Sequence, residues 1–363
     1  MNYHAALAHF PKITYSRYKH LVAYFFNLQN LWQAELEEIC RAGLEENIAY
    51  EFLLWREQTS VEKIMERLMR EDIKTTSLGD ADYPKLLAEI ADPPHTLFYR
   101  GTLPTNDTPS LGVVGTRKSS NYGKQMCEEL IAPLAAQGVI IVSGLALGID
   151  GIAHKTTLEV KGTTIAVLGC GVNKQNVYPA AHKLLSEQII ANGGAVLSEY
   201  PPDFLPTQYS FPARNRIIAG LSQGTIVIEA PLQSGALITA RCALDYNREV
   251  MAIPHNTTNF GGEGCNNLLK MGAKLVTKPE DIMEAINMKI ILKTTPVQPN
   301  LLPANSPEEK ILNCLSREPK HIDLIIKESN LDSPTVNSAL TLMEITGLVR
   351  NTGGMAYTKA CNM

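Results

Sequence analysis

The chain has 363 residues, 45% of them apolar, and a formal net charge of −4. That length predicts two or three domains with a sizeable core, and the charge excludes a uniformly basic nucleic-acid binder. Any phosphate-binding surface must therefore be a local patch. Seven cysteines lie scattered, with no C-x-x-C pair and no histidine at metal spacing. They predict reduced thiols, no metal site and a cytoplasmic protein. No apolar run reaches membrane length and the first residues lack a signal-type apolar core, so no membrane association is expected.

Residues 1–78 predict a small helical domain, from segments such as YKHLVAYFF, AYEFLLWREQ and VEKIMERLMRE. Short helices around FPKIT and CRAGL offer degenerate helix-hairpin-helix units, but the turn glycines of a working hairpin are missing at Lys12-Ile13-Thr14, which favours a packing role. Residues 82–101 are stiffened by Pro84, Pro93 and Pro94 and end in a strand-like TLFY.

From residue 111 to about 288, strands and helices alternate. Strands are predicted at 112–114, 139–142, 164–168, 195–197, 225–228, 250–253 and 274–276. Alternation at this spacing predicts a doubly wound, mainly parallel α/β sheet, extended and Rossmann-like, over residues 79–295. Ligands bind such sheets beyond the carboxyl ends of the strands, so the residues after each strand are the candidates.

The first strand ends in GTRKSSNYG and a helix follows. A helix N-terminus after a Gly-rich turn favours an anion, and no Asp or Glu occurs between Leu111 and Cys127. A phosphate-bearing ligand is expected. A dinucleotide is not, because the turn is not G-x-G-x-x-G and the second strand ends in Ser143-Gly144 rather than an acid. A Walker A loop is absent as well.

Basic residues recur after the other strands: Lys183 beyond Tyr178-Pro179, Arg214 and Arg216 in FPARNR, and Arg241 after Ser234, Gly235 and Thr239. No acid falls between Val160 and Glu187, nor between Asp203 and Glu229. Arg117, Lys118, Lys183, Arg214 and Arg216 are thus expected on one rim. Tyr122, Tyr178, Phe211 and Phe260 are the aromatics available to stack bases, although core packing is the commoner role for such residues.

These runs, GVVGTRKSSNYG, SGLALGIDGIAH, TIAVLGCGVN with YP, SEYPP, FPARNRIIAGLS, IEAPLQSGALITARCAL and IPHNTTNFGGEGCNNLLKMGA, resemble the DNA-processing protein A (DprA, also Smf) family. The resemblance spans roughly residues 83–276, with the motifs in the family's order. It implies sequence-independent binding of single-stranded DNA, loading of RecA onto incoming DNA in natural transformation, and a homodimer formed through this domain. It implies no enzyme activity and no cofactor. DNA-binding positions carried over are Gly115, Thr116, Arg117, Lys118 and Ser119 in GTRKS, Lys183 after the YP, Arg214 and Arg216, and Ser234, Gly235 and Thr239. Cys170 inside its glycine turn and His255-Asn256 after Pro254 depart from the family pattern, without removing a basic residue. Leu268 and Leu269 in NNLLKM are candidates for an exposed dimer patch.

Residues 296–305 read as a linker. Residues 306–363 read as a winged helix, with helices from Ser306, at 321–328 and at 334–345, and a hairpin around Thr352-Gly353-Gly354. The module carries six basic and seven acidic residues, and its third helix has no Lys or Arg. A protein-contacting or regulatory wing is expected rather than a DNA reader.

The alternative function is a nucleotide-processing enzyme acting on N-glycosidic bonds, with Glu199 and Glu229 at strand ends as an acid/base pair. A sequence-specific regulator working through the winged helix is disfavoured by the uncharged third helix.

Overall fold

A computed structural model describes residues 2–288, 306–316, 318–346 and 348–359. The chain forms two compact units that divide after Ile290. In the first unit nine strands form one sheet. They are β1 (Lys74–Ser77), β2 (Thr96–Gly101), β3 (Ser110–Val114), β4 (Ile140–Ser143), β5 (Thr164–Val167), β6 (Ala195–Ser198), β7 (Gly224–Val227), β8 (Glu249–Ala252) and β9 (Lys274–Leu275). Their order is β1-β2-β6-β5-β4-β3-β7-β8-β9. β3 to β9 pair in parallel, and the β1-β2 hairpin joins β6 antiparallel. All seven strands expected from the apolar runs are present.

The central strands are buried on both faces, which is why they read as unbroken β-branched runs rather than as alternation. Successive residues still serve opposite cores. Ile140 and Val142 face the layer holding Ile217, Ile218 and Ala240. Ile141 faces Leu130, Leu134 and Ala153. Each such Leu or Ile, fully withdrawn from water, contributes about 1.5–3 kcal/mol of transfer free energy.

The helical stretch begins as expected, with Tyr15–Phe25, Glu46–Glu57 and Val61–Arg70 as its longest helices. Its core is aromatic, with Phe10, Tyr18, Phe25 and Phe52 buried and Trp32 and Trp55 packed on them. Phe10 and Ile13 of FPKIT belong to this core. The stretch ends earlier than expected. Residues 74–77 form the outermost strand of the sheet, and KTTS carries too little apolar signal to announce it. The helical segment and the sheet belong to one compact unit.

The second unit has helices Pro307–Cys314, Ile322–Ser329 and Ser333–Ile345. Its three short strands are β10 (Lys320–His321), β11 (Val349–Gly353) and β12 (Ala356–Lys359), in the order β10-β12-β11. Ser306 and Asp332 cap the first and third helices through their side-chain oxygens. Gly353 and Gly354 supply the positive φ of the hairpin turn. The linker expected at 296–305 lies outside the described residues.

Candidate nucleic-acid interface

Strand order fixes where a ligand can enter. The chain leaves β3 for β4 on one side, and later returns to lay β7 on the other. The switch point therefore lies between β3 and β7, and a crevice opens beyond their carboxyl ends. Backbone pairing continues past both strands, with Ile228 N donating to Val114 O at 3.0 Å and Thr116 N to Glu229 O at 2.7 Å. The two loops leave the sheet side by side. Between them and the helix Ser210–Gly220 lies a cleft of about 790 Å³.

Gly115, Thr116, Arg117, Lys118, Arg214, Ser234, Gly235 and Thr239 line this cleft. Ser119, Lys183 and Arg216 are not among its lining residues. The eight that converge come from three separate stretches of sequence. Asp150 is the single acidic residue in the lining.

The Arg117 turn is held rigidly from beneath. Gly148 has φ +76°, and a Cβ there would run into the Thr116 carbonyl. Ile149 N donates to that same carbonyl at 3.2 Å. A Cβ on Gly115 would lie 2.5 Å from Ile149 Cγ1. Arg117 itself is exposed, with its guanidinium carbon 5.7 Å from the Phe211 ring centroid. The Phe211 ring in turn sits 5.5 Å from that of Tyr178. Neither Arg117 nor Lys118 has an ion-pair partner among the described residues.

The helix N-terminus after β3 does not do what its sequence promised. Glu229 occupies it, accepting from Ser120 N at 2.9 Å and Ser120 Oγ at 3.1 Å. A Cβ on Gly123 would collide with this carboxylate. An internal anion thus fills the place expected for phosphate. Arg117 and Lys118 remain beside it as exposed cations.

The two arginines of FPARNR differ sharply. Arg214 is buried and donates to the carbonyls of Gly144, at 2.7 Å, and Val167. It braces the ends of β4 and β5 beneath the cleft. Burial lowers its pKa, while burial raises that of nearby Asp150 against the pull of Arg214. Arg216 points away, pairing with Asp92 at 2.9 Å and Glu199 at 2.6 Å. Burial raises the Glu199 pKa, opposed by Arg216. Lys183 opens the helix Lys183–Ala191 and is exposed, its Nζ donating to Gln175 O at 2.8 Å. Arg241 is exposed on the helix Gly235–Asp245.

Sequence reasoning misjudged the aromatics. Tyr122, Tyr178 and Phe260 are exposed and Phe211 is half-buried, so none belongs to the core. Each loop or helix start after β3 to β8 displays a large apolar side chain to solvent: Tyr122, Leu147, Tyr178, Leu205 with Tyr209, Leu232 and Phe260. Asn215, also in the lining, was passed over; its Nδ2 donates to Gly235 O at 3.1 Å. The departures are accommodated. Cys170 is fully buried, and His255 packs against Gly262 with Nε2 2.8 Å from Ile228 O. Leu268 and Leu269 are half-buried against the core rather than forming an exposed patch; Met271 and Leu275 are the exposed apolar residues beside them. No cluster of metal-ligating side chains occurs among the described residues. No described helix is long and apolar enough to cross a membrane.

Comparison with known proteins agrees with this geometry. The model of the DNA recombination-mediator protein A family matches residues 74–287, and that of the DprA winged helix domain matches residues 295–355. Protein Smf of Escherichia coli (strain K12) is 40% identical over 77% of this chain and 76% of its own length. The X-ray structure of DNA processing protein A from Streptococcus pneumoniae superposes with a TM-score of 0.67 at 37% identity, covering 78% of this chain and 97% of that one. DNA processing protein A from Helicobacter pylori, described with a unique single-stranded DNA binding mode, gives 0.52 at 33% identity over 59% and 96%. With its Rossmann-like sheet, its switch-point cleft and its winged helix, the chain belongs to the DNA recombination-mediator protein A (DprA/Smf) family.

Proposed function

We propose that this protein binds single-stranded DNA without sequence preference along the carboxyl rim of its sheet, and that it loads RecA onto incoming DNA during natural transformation. One observation carries the DNA reading: Arg117 and Lys118, cations without ion-pair partners among the described residues, stand on a rim where each loop or helix start after β3 to β8 shows an exposed apolar or aromatic side chain. Phosphates take the cations and base faces take the apolar groups, with no base edge read. The single-stranded DNA binding of the Helicobacter pylori relative supports it. RecA is the partner implied by the family resemblance, and the family's description as recombination mediators supports it.

The protein acts in this reading as a non-enzymatic homodimer of the cytoplasm. Glu199 and Glu229 are spoken for, by Arg216 and by Ser120, which weakens the N-glycosidic hydrolase alternative. Self-association is supported by the open edge strand β9 with Leu275 and Met271 exposed beside it.

The test is RecA filament assembly on DNA precoated with single-strand-binding protein, with and without this chain. Faster assembly is expected. Unchanged assembly, or release of base from a nucleoside monophosphate by the purified protein, would overturn the proposal.

A further inference from the structure

We infer that the cleft seats a nucleotide bearing a phosphomonoester, with its phosphate on the first turn of the helix Gly235–Asp245. The inference rests on the single-stranded DNA reading and adds a preference for phosphorylated ends.

Gly235 is the first sign. The other glycines around the cleft are demanded by packing: Gly115 and Gly148 have no room for a Cβ. At Gly235 a Cβ would meet nothing within 4 Å, and its φ is not positive. Gly235 is the first residue of its helix, and neither packing nor backbone conformation requires a glycine there. What glycine leaves at this spot is a bare backbone at the cleft wall, open to close approach by a ligand.

Thr239 is the second, independent sign. It stands one turn along the same helix and lines the same cleft. It is 1% exposed, yet its Oγ1 has no hydrogen-bond partner among the described residues. A buried hydroxyl without a partner is costly unless something completes it. Ser234 caps this helix through Ala236 N at 3.2 Å, and Asn215 fixes the turn from the facing wall. The helix N-terminus adds its positive end.

Charge selects a monoester over the backbone diester. Asp150 is engaged by the amides of Gly144 and Ala146 and lies beside Arg214. That leaves Arg117 and Lys118, two positive charges, against a terminal phosphate of about −1.5 to −2. The cleft, at about 790 Å³, has room for one nucleotide. A strand terminus and a free nucleotide present the same group.

The test uses the full chain and three oligothymidylates of one length, with a 5′-phosphate, a 3′-phosphate or hydroxyls at both ends, followed by competition with free dAMP. At least one phosphorylated oligonucleotide should bind about tenfold more tightly than the hydroxyl-ended one. Gly235→Val and Thr239→Val should bring that ratio to about one without lowering Tm, and Thr239→Ser should preserve it. Competition by dAMP assigns the pocket to free nucleotides as well; preference for a phosphorylated strand without competition assigns it to strand ends alone. Equal affinity for all three oligonucleotides sinks the inference and leaves the DNA reading standing. Absence of binding to any of them removes the DNA reading and the inference with it.

Discussion

Arg117, Arg214 and Arg216 share a residue type and a neighbourhood but not an environment. Successive helix residues turn by about 100°, so two positions apart face nearly opposite ways. That is why the RNR run places Arg214 under the cleft and Arg216 against Asp92 and Glu199. Their substitutions should separate accordingly. Arg117→Ala should leave Tm unchanged and weaken binding to every single strand alike, flattening the salt slope by about 0.7 for each phosphate lost. Lys183→Ala should do the same, because its charge opposes the dipole of the helix it begins and the fold gains little from it. Arg214→Ala should instead cost about 3–5 kcal/mol, by stranding Asp150 and two buried carbonyls. Urea titration of each variant beside oligonucleotide titrations at several salt concentrations checks all three. A large Tm loss for Arg117→Ala would mean that it braces the turn instead. Residue types on the rim were legible in the sequence; which of them are committed inside the protein was not, since that depends on partners far along the chain.

At the scale of elements the same limit has a particular cause. Buried parallel strands announce themselves by apolar β-branched runs, so β3 to β7 could be read directly, and β8 and β9 followed from the regular alternation of strands and helices. β1 could not, because an edge strand of polar residues has no pattern to show. Nor could the capping of the helix Asn121–Ala136 by Glu229, a contact spanning 109 residues. A Gly-rich turn before a helix looks the same whether phosphate or an internal carboxylate completes it. The turn's rigidity can be tested at Gly148. Gly148→Ala forces a side chain into positive φ and into the Thr116 carbonyl, at a cost of about 1–3 kcal/mol. It should lower both Tm and single-strand affinity, although the new methyl replaces no basic group. Affinity equal to wild type in the folded variant would show that the Arg117 turn needs no such support.

The molecule as a whole joins a helical segment to the sheet across a seam of half-buried histidines. His95 stacks on Tyr18 at 4.6 Å, and His9 meets the edge of Phe98 at 5.4 Å. Burial lowers the pKa of His4 and His9, and lowers that of His95 to about 4. A folded pKa below the unfolded 6.5 means that the unfolded chain binds more protons in between. The stabilisation is therefore complete above pH 6.5 and is lost as pH falls from there toward about 4. Buried Asp150 and Glu199, with raised pKa values, act in the opposite sense, so the comparison must be between variants. His95→Phe keeps a ring over Tyr18 and should flatten the dependence of unfolding free energy on pH between 7 and 5. An unchanged slope would show that His95 is already protonated or undocked in that range.

The winged helix poses the remaining question at this scale, because a module of this shape commonly reads DNA through its third helix. Here that helix, Ser333–Ile345, carries no Lys or Arg and shows Leu342 and Ile345 to solvent. Without cations it can neutralise no phosphate, and counterion release supplies most of the affinity of sequence-independent binding. The sequence already contained this argument, since charge is legible without coordinates; the structure adds that the exposed face is polar, with Leu342 and Ile345 as its large apolar residues. A chain ending at residue 300 should therefore retain single-strand affinity within about twofold, a difference of roughly 0.4 kcal/mol, with the same salt slope. A slope smaller by one or more phosphates in the truncated, folded chain would place DNA contacts in the winged helix and refute the assignment of binding to the sheet rim alone.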